Sequence, residues 1–180
     1  MKSANSKKSK EEVYWKVLQA AIELDFKKGH QKWTISDVSR ASGVTRSLIY
    51  YYFGRSRAAL LEEAVKVIGS EVFGLTDERL EMWKKGRMLE SALLSKQTAQ
   101  QYPFLISFYF THRFRQNAIG GAIRELEKKH YKKVSQFFSN VSEEQLHKQL
   151  AVLFGSVLCP HIESTSELFS NLKSLGDAKS

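Results

Sequence analysis

Apolar residues recur at intervals of three and four along almost the whole 180-residue chain, and no stretch sustains a period of two. That spacing gathers apolar side chains on one face of an α-helix and fits no half-buried strand. The chain is therefore expected to be all-α. With 42% hydrophobic and 26% charged residues it has enough apolar material for a core and enough charge for a wetted surface, which excludes a disordered or collagen-like chain. The single cysteine, Cys159, can form neither an intrachain disulfide nor a thiolate metal cluster, so zinc-finger architectures are set aside. No apolar run approaches the roughly 18 residues of a membrane span, and the polar, basic start from Met1 to Lys10 lacks the apolar segment of a secretory signal. A cytoplasmic protein without a membrane partner is expected.

The formal net charge is +9, and it is unevenly placed. Residues 1–57 hold eight lysines and four arginines against three glutamates and two aspartates, a net of +7, while the remaining 123 residues carry only +2. One end of the molecule is thus a candidate footprint for a polyanion. Lys2, Lys7, Lys8 and Lys10 fit either a basic arm that touches that polyanion or a solvated terminus.

The first helix is expected from Glu11 to Lys28, with Val13, Val17, Leu18, Ala21, Leu24 and Phe26 at helical spacing and Gly29 beyond its end. A second begins after Thr34, which with Asp37 three residues on reads as a capping box; Ile35, Val38 and Ala41 form its apolar face. The turn Ser42-Gly43-Val44 follows, then Thr45 as a second N-cap and a short helix ending in Tyr50, Tyr51, Tyr52 and Phe53. Two short helices around a glycine-containing turn make a helix-turn-helix over residues 34–53. Ile49 and Phe53 share one face of the third helix with Thr45. Arg46, Ser47, Tyr50 and Tyr51 fall on the other, which is too polar to bury and rich in groups that bond phosphates or base edges.

At these residues the sequence resembles the tetracycline-repressor (TetR) family of bacterial transcription regulators, over about Val17 to Leu61. The resembling pieces are Val17–Leu24, Gly29, Thr34–Val38, Ala41–Thr45, Tyr50–Phe53 and Ala59–Leu61. A flexible basic arm is expected over 1–10 from the charge; the resemblance implies a DNA-binding domain over 11–57 and a helical effector-binding and dimerisation domain over 58–180, about nine helices in all. It also implies that Ser36, Thr45, Arg46, Ser47, Leu48, Tyr50, Tyr51 and Tyr52 face operator DNA, with Arg46 and Ser47 reading base edges, Leu48 meeting a thymine methyl, and Tyr51 and Tyr52 on phosphates. In two places the chain departs from the family. Ser56 stands where a phosphate-binding lysine is common, so that Arg55 or Arg57 would have to replace it. Asp25 stands where a phenylalanine is usually buried; either Phe26 fills that gap or Asp25 is exposed or paired with a base.

In the second part, a helix is expected from Arg57 to about Val72, another between Asp77 and Gln101, and a nearly all-apolar one after Pro103, from Phe104 to Phe114. The cleanest amphipathic stretch carries Ile119, Ile123, Leu126, His130, Val134 and Phe137 inward and Arg124, Glu125, Lys128, Lys129, Lys132 and Lys133 outward. His130 is either a core histidine or an effector contact; Phe108, His112, His130 and Phe137 are the candidate lining of an effector pocket. Helices over about Ser142–Cys159 and Glu163–Leu175 could pack on a symmetry mate through Leu150, Phe154, Val157, Leu168 and Leu172, or simply cap their own domain. No HExxH, GxSxG, phosphate-loop or dinucleotide motif is present, so neither an enzyme nor a cofactor or metal site is expected. The expected partners are an operator duplex, a second copy of the chain and a small, partly apolar effector, the alternatives being an architectural DNA-binding protein without an effector or an atypical helical enzyme.

Overall fold

The computed structural model describes residues 2–138 and 141–158, with side chains from Lys10 onward. The described residues form nine α-helices and no strand: α1 Lys2–Lys28, α2 Ile35–Ser42, α3 Arg46–Phe53, α4 Arg57–Val67, α5 Asp77–Lys84, α6 Met88–Gln101, α7 Pro103–His112, α8 Ala118–Phe137 and α9 Glu143–Leu158. The helix expected over 163–175, with Leu168 and Leu172, lies outside the described residues, as does Cys159.

Three expectations are corrected. The segment expected as a flexible arm is the start of α1, which runs from Lys2 because nothing between there and Glu11 breaks a helix. The helix expected to reach Val72 leaves α-geometry at Val67 and continues as a π-helical turn over Ile68–Val72, closed by the Phe73 amide donating to the Ile68 carbonyl at 2.9 Å. Gly69 within it meets Leu126 of α8 so closely that a Cβ would lie 2.9 Å from a Leu126 methyl. The stretch 77–101 is two helices, because the chain turns at Gly86 with φ 72.

A single buried cluster runs from Val17, Leu18 and Ile22 of α1 through Trp33, Val38, Ile49 and Phe53 to Leu60, Leu61 and Ile68, and on to Leu105 and Phe108 of α7, Ile123 of α8 and Val157 of α9. The N-terminal helices and the rest of the chain therefore share one core. A smaller cluster gathers Trp83, Val134 and Leu146. Between α5 and α6 the buried Arg79 guanidinium donates to Ser91 Oγ and Ser95 Oγ, both at 2.6 Å, and to the Ser91 carbonyl, while Trp83 Nε1 donates to the same Ser91 hydroxyl at 2.8 Å. Burial lowers the Arg79 pKa, and the neutral oxygens around it make up part of the lost hydration.

Two contacts fasten α1 to α7. Trp15 stacks on Tyr102 at 3.8 Å between ring centroids, and ten residues further along each chain segment Asp25 meets His112. The equal steps make the two helices run in the same direction, with fastenings about 15 Å apart along each.

At the start of α8, Gly120 passes so close to the preceding loop that a Cβ would overlap the Arg115 carbonyl oxygen and come within 2.7 Å of that of His112; its neighbour Gly121 faces open space. Gly120→Ala should destabilise the protein by about 1–3 kcal/mol or more, as overpacking against backbone does. Gly121→Ala should stabilise it by about 0.5–1 kcal/mol through helix propensity. Urea unfolding midpoints of the two variants check the contrast.

Candidate functional site

The helix-turn-helix is wired by short-range hydroxyl and carboxylate bonds. Thr34 and Asp37 form the expected capping box, with the Asp37 amide donating to Thr34 Oγ1 at 3.1 Å and the Thr34 amide donating to Asp37 Oδ2 at 2.8 Å. Lys28 closes on Asp37 at 2.9 Å and, with the Thr34 donors, holds that carboxyl down at about 2. In the turn, Ser39 Oγ donates to the Val44 carbonyl at 2.7 Å, Ser42 Oγ donates to the Val38 carbonyl at 2.7 Å, and the Val44 amide donates to Ser42 Oγ at 3.2 Å. Gly43 has φ 70, a left-handed conformation that costs a side-chain-bearing residue energy.

These bonds fix how α3 rotates. Ile49 and Phe53 point into the core, and Phe53 stacks on Tyr14 at 5.1 Å. Thr45, Arg46, Ser47, Tyr50 and Tyr51 are exposed, Tyr51 to 79%. Arg46 Nη1 reaches Ser36 Oγ at 3.5 Å, so these two groups stand together at the outer edge of α2 and α3. Thr45 occupies the N-cap position, but its side chain makes no capping bond. Arg55 lies over the Tyr50 ring at 5.7 Å.

Three residues sit differently from expectation. Leu48 is half-buried and packs on the core, so part of its side chain is turned away from the exposed face. Tyr52 is also half-buried, its ring edge-on to those of Tyr51 and Phe53. Arg57 is a brace: Nη1 donates to the Gln31 carbonyl at 2.6 Å and the Trp33 carbonyl at 3.1 Å, tying the start of α4 to the loop between α1 and α2. Ser56 caps α4 by accepting from the Ala59 amide at 3.0 Å. Both arginines flanking it are exposed; Arg57 Nη1 holds the two carbonyls, and Arg55 lies over the Tyr50 ring.

Residues 17–64 match the family model described as bacterial regulatory proteins, tetR family. This segment is a tetR-family domain. A domain of this kind marks a DNA-binding regulatory protein rather than an enzyme. Nothing among the curated proteins and nothing among the solved structures compared matches the chain.

Behind the tetR-family domain, the aromatic helices of the second part enclose an apolar cavity of about 30 Å³, lined among others by Phe73, Trp83, His130, Phe154 and Val157. It adjoins an open cleft of about 530 Å³ that shares Phe73, His130 and Phe154 and continues over Tyr109, Arg113, Glu127 and Tyr131. His130 is the candidate that reaches both. Its ring lies 4.8 Å from Phe73, 5.9 Å from Trp83 and 5.7 Å from Phe154, and burial among them pulls its pKa down to about 4. The other three candidates for the effector wall are corrected. Phe108 and His112 face α1 as neighbours 4.4 Å apart, and Phe137 packs on Trp83 at 5.5 Å on the side of the smaller cluster. Of the residues expected at an interface between copies, Val157 is buried, because α9 packs on α6 of its own chain; Phe154 is half-buried and borders the cleft, and Leu150 is half-buried against the smaller cluster.

The departure at Asp25 is resolved by partners. Asp25 is buried and Phe26 is exposed. Oδ1 accepts from the Gln31 amide at 2.7 Å and from Trp33 Nε1 at 2.9 Å, while Oδ2 has His30 Nδ1 and His112 Nε2 each at 3.1 Å. Burial works against the charge, but these neighbours, His112 first, outweigh it and hold the carboxyl well below its ordinary range. Gln31, at φ 55, is in a left-handed conformation unusual for a side-chain-bearing residue. Its amide bond to Asp25 and its carbonyl bond to Arg57 hold it there.

Two outcomes follow. Arg57→Ala should lower stability by about 1–3 kcal/mol, the usual range for lost hydrogen bonds from a charged donor, yet leave the salt dependence of DNA binding unchanged; denaturant titration and a salt series of binding isotherms check both. For His130, the unfolded imidazole takes a proton near pH 6.5 and the folded one only near 4. Stability should therefore fall as pH drops through that window, by about 3 kcal/mol at its lower end. Urea midpoints between pH 7 and 4 should slope less steeply in His130→Gln.

Proposed function

We propose that the protein is a homodimeric repressor that holds a pseudo-palindromic operator through two copies of α3 and releases it when a small, partly apolar molecule enters the second part of the chain. The observation that carries this is the exposed Arg46, Ser47, Tyr50 and Tyr51 face of α3, standing on a buried Ile49–Phe53 face within a tetR-family domain. A guanidinium at the outer edge of a helix fits bidentate pairing with guanine, and Ser36 beside it supplies a second polar contact. Tyr51, Thr45 and Arg55 serve phosphates, setting register and affinity. Half-buried Tyr52 contributes to that edge through Tyr51.

Effector release is supported by the apolar cavity and its cleft beside His130. A molecule wedged there would meet Phe73, which directly follows the π-helical turn at the end of α4. The start of α4 is bound through Arg57 to the α1–α2 loop. Coupling of this kind between two sites is typically worth about 1–3 kcal/mol. Dimerisation would use surface outside Val157, which the chain's own core already takes.

The test is selection of bound duplexes from a random pool with purified full-length protein. Enrichment of an inverted repeat with half-site centres about 34–36 Å apart, or a multiple of that, is expected. Arg46→Ala should cost about 1–3 kcal/mol and relax preference at one base position. Enrichment without any symmetric repeat, or a loss in Arg46→Ala that is uniform over all duplexes, would instead support the architectural alternative.

A further inference from the structure

The buried junction between α1 and α7 has the chemistry of a cation site. Asp25 from the last turn of α1, His30 from the following loop and His112 from the end of α7 each present one ligating atom, all within 4.8 Å of one another. Both imidazole nitrogens stand 3.1 Å from the same carboxylate oxygen, Oδ2. An edge of a tetrahedron around a zinc-class ion, with bonds of about 2.0–2.2 Å, is about 3.3–3.6 Å, close to the two 3.1 Å separations from Oδ2.

A second observation points the same way. His112 is fully buried, and neither of its ring nitrogens makes a well-formed hydrogen bond; Nε2 has only the 3.1 Å ionic contact with Oδ2. A buried imidazole that forgoes both hydrogen bonds is costly. An ion shared by Nε2, Oδ2 and His30 Nδ1 would give the His112 ring the partner it lacks. The supporting layer is present for the carboxylate: the Gln31 amide and the Trp33 indole occupy Oδ1 and leave Oδ2 turned to the histidines. His30, with 24% of its side chain exposed, is the entry side.

We propose that Asp25, His30 and His112 bind one divalent transition-metal ion of the zinc class. One carboxylate and two neutral imidazoles leave a net single negative charge facing the cation and a fourth position for water. The ion joins α1 and its loop to α7, so its occupancy braces the tetR-family domain against the second part of the chain.

The experiment uses the untagged full chain, stripped with a chelator and titrated with Zn²⁺ against a competing chromophoric chelator, and separately with Co²⁺ followed by visible absorption. One ion per chain is expected, with a Co²⁺ spectrum of low coordination number and a thermal midpoint that rises on adding Zn²⁺. His30→Gln lies at the partly exposed position, and its fold is checked by circular dichroism. It should weaken Zn²⁺ binding about tenfold or more and abolish the thermal shift, and His112→Gln should do the same. No stoichiometric ion at micromolar Zn²⁺, or an ion bound equally well by the His30→Gln variant, overturns the proposal. No DNA enters these measurements, so such a failure leaves the operator reading untouched.

Discussion

A buried carboxylate must find its hydration elsewhere, and Asp25 finds it in four groups drawn from two parts of the chain, the loop after α1 and the end of α7. That requirement organises the structure. The Gln31 amide can reach Oδ1 only if the loop after α1 turns through a left-handed residue, and Trp33 can reach it only if its ring is buried beneath the same loop. The loop in turn sets where Thr34 begins α2, and so where α3 lies. On the other side, His112 brings in the end of α7. A phenylalanine at this position would fill the volume without specifying any of these directions.

The reading surface follows from a different economy. α3 is eight residues long, too short to hold itself helical in water. Its conformation comes from burying Ile49 and Phe53 and from the hydroxyl bonds of the preceding turn. Because the core and the turn carry the structural burden, the opposite face is free to present a guanidinium, a hydroxyl and phenols. Arg57 belongs to the structural side of that division, and Arg55, stacked over Tyr50, to the exposed side.

Local chemistry was legible in the sequence. The Thr34–Asp37 box, the Gly43 turn, the inward pair Ile49 and Phe53 and the polar face opposite them depend on residues at most a few positions apart, and spacing alone locates them. What spacing could not supply was contact across the chain. Asp25 was visible as an anomaly, but its partner His112 lies on a helix whose apolar composition suggested only a covered core. Spacing left Arg55 and Arg57 as equal candidates for a phosphate, because a basic residue at a helix start looks the same whether it faces solvent or a carbonyl. Phe154 and Val157 form an amphipathic stripe equally suited to a second copy or to α6. The close approach at Gly69 was hidden because the neighbour it meets, Leu126, is more than fifty residues away.

The two fastenings between α1 and α7 have a mechanical corollary. Parallel rods joined at a single point can pivot, and rods joined at neither end can slip lengthwise. Joined at both Trp15–Tyr102 and Asp25–His112, they can do neither without breaking an aromatic stack or stranding a buried charge. Axial shear is thereby suppressed, and what is left to the pair is to roll or tilt as one body. Any rearrangement of α7 is then handed to the loop that seats α2 as a rotation, the kind of displacement that re-aims a short helix without unfolding it.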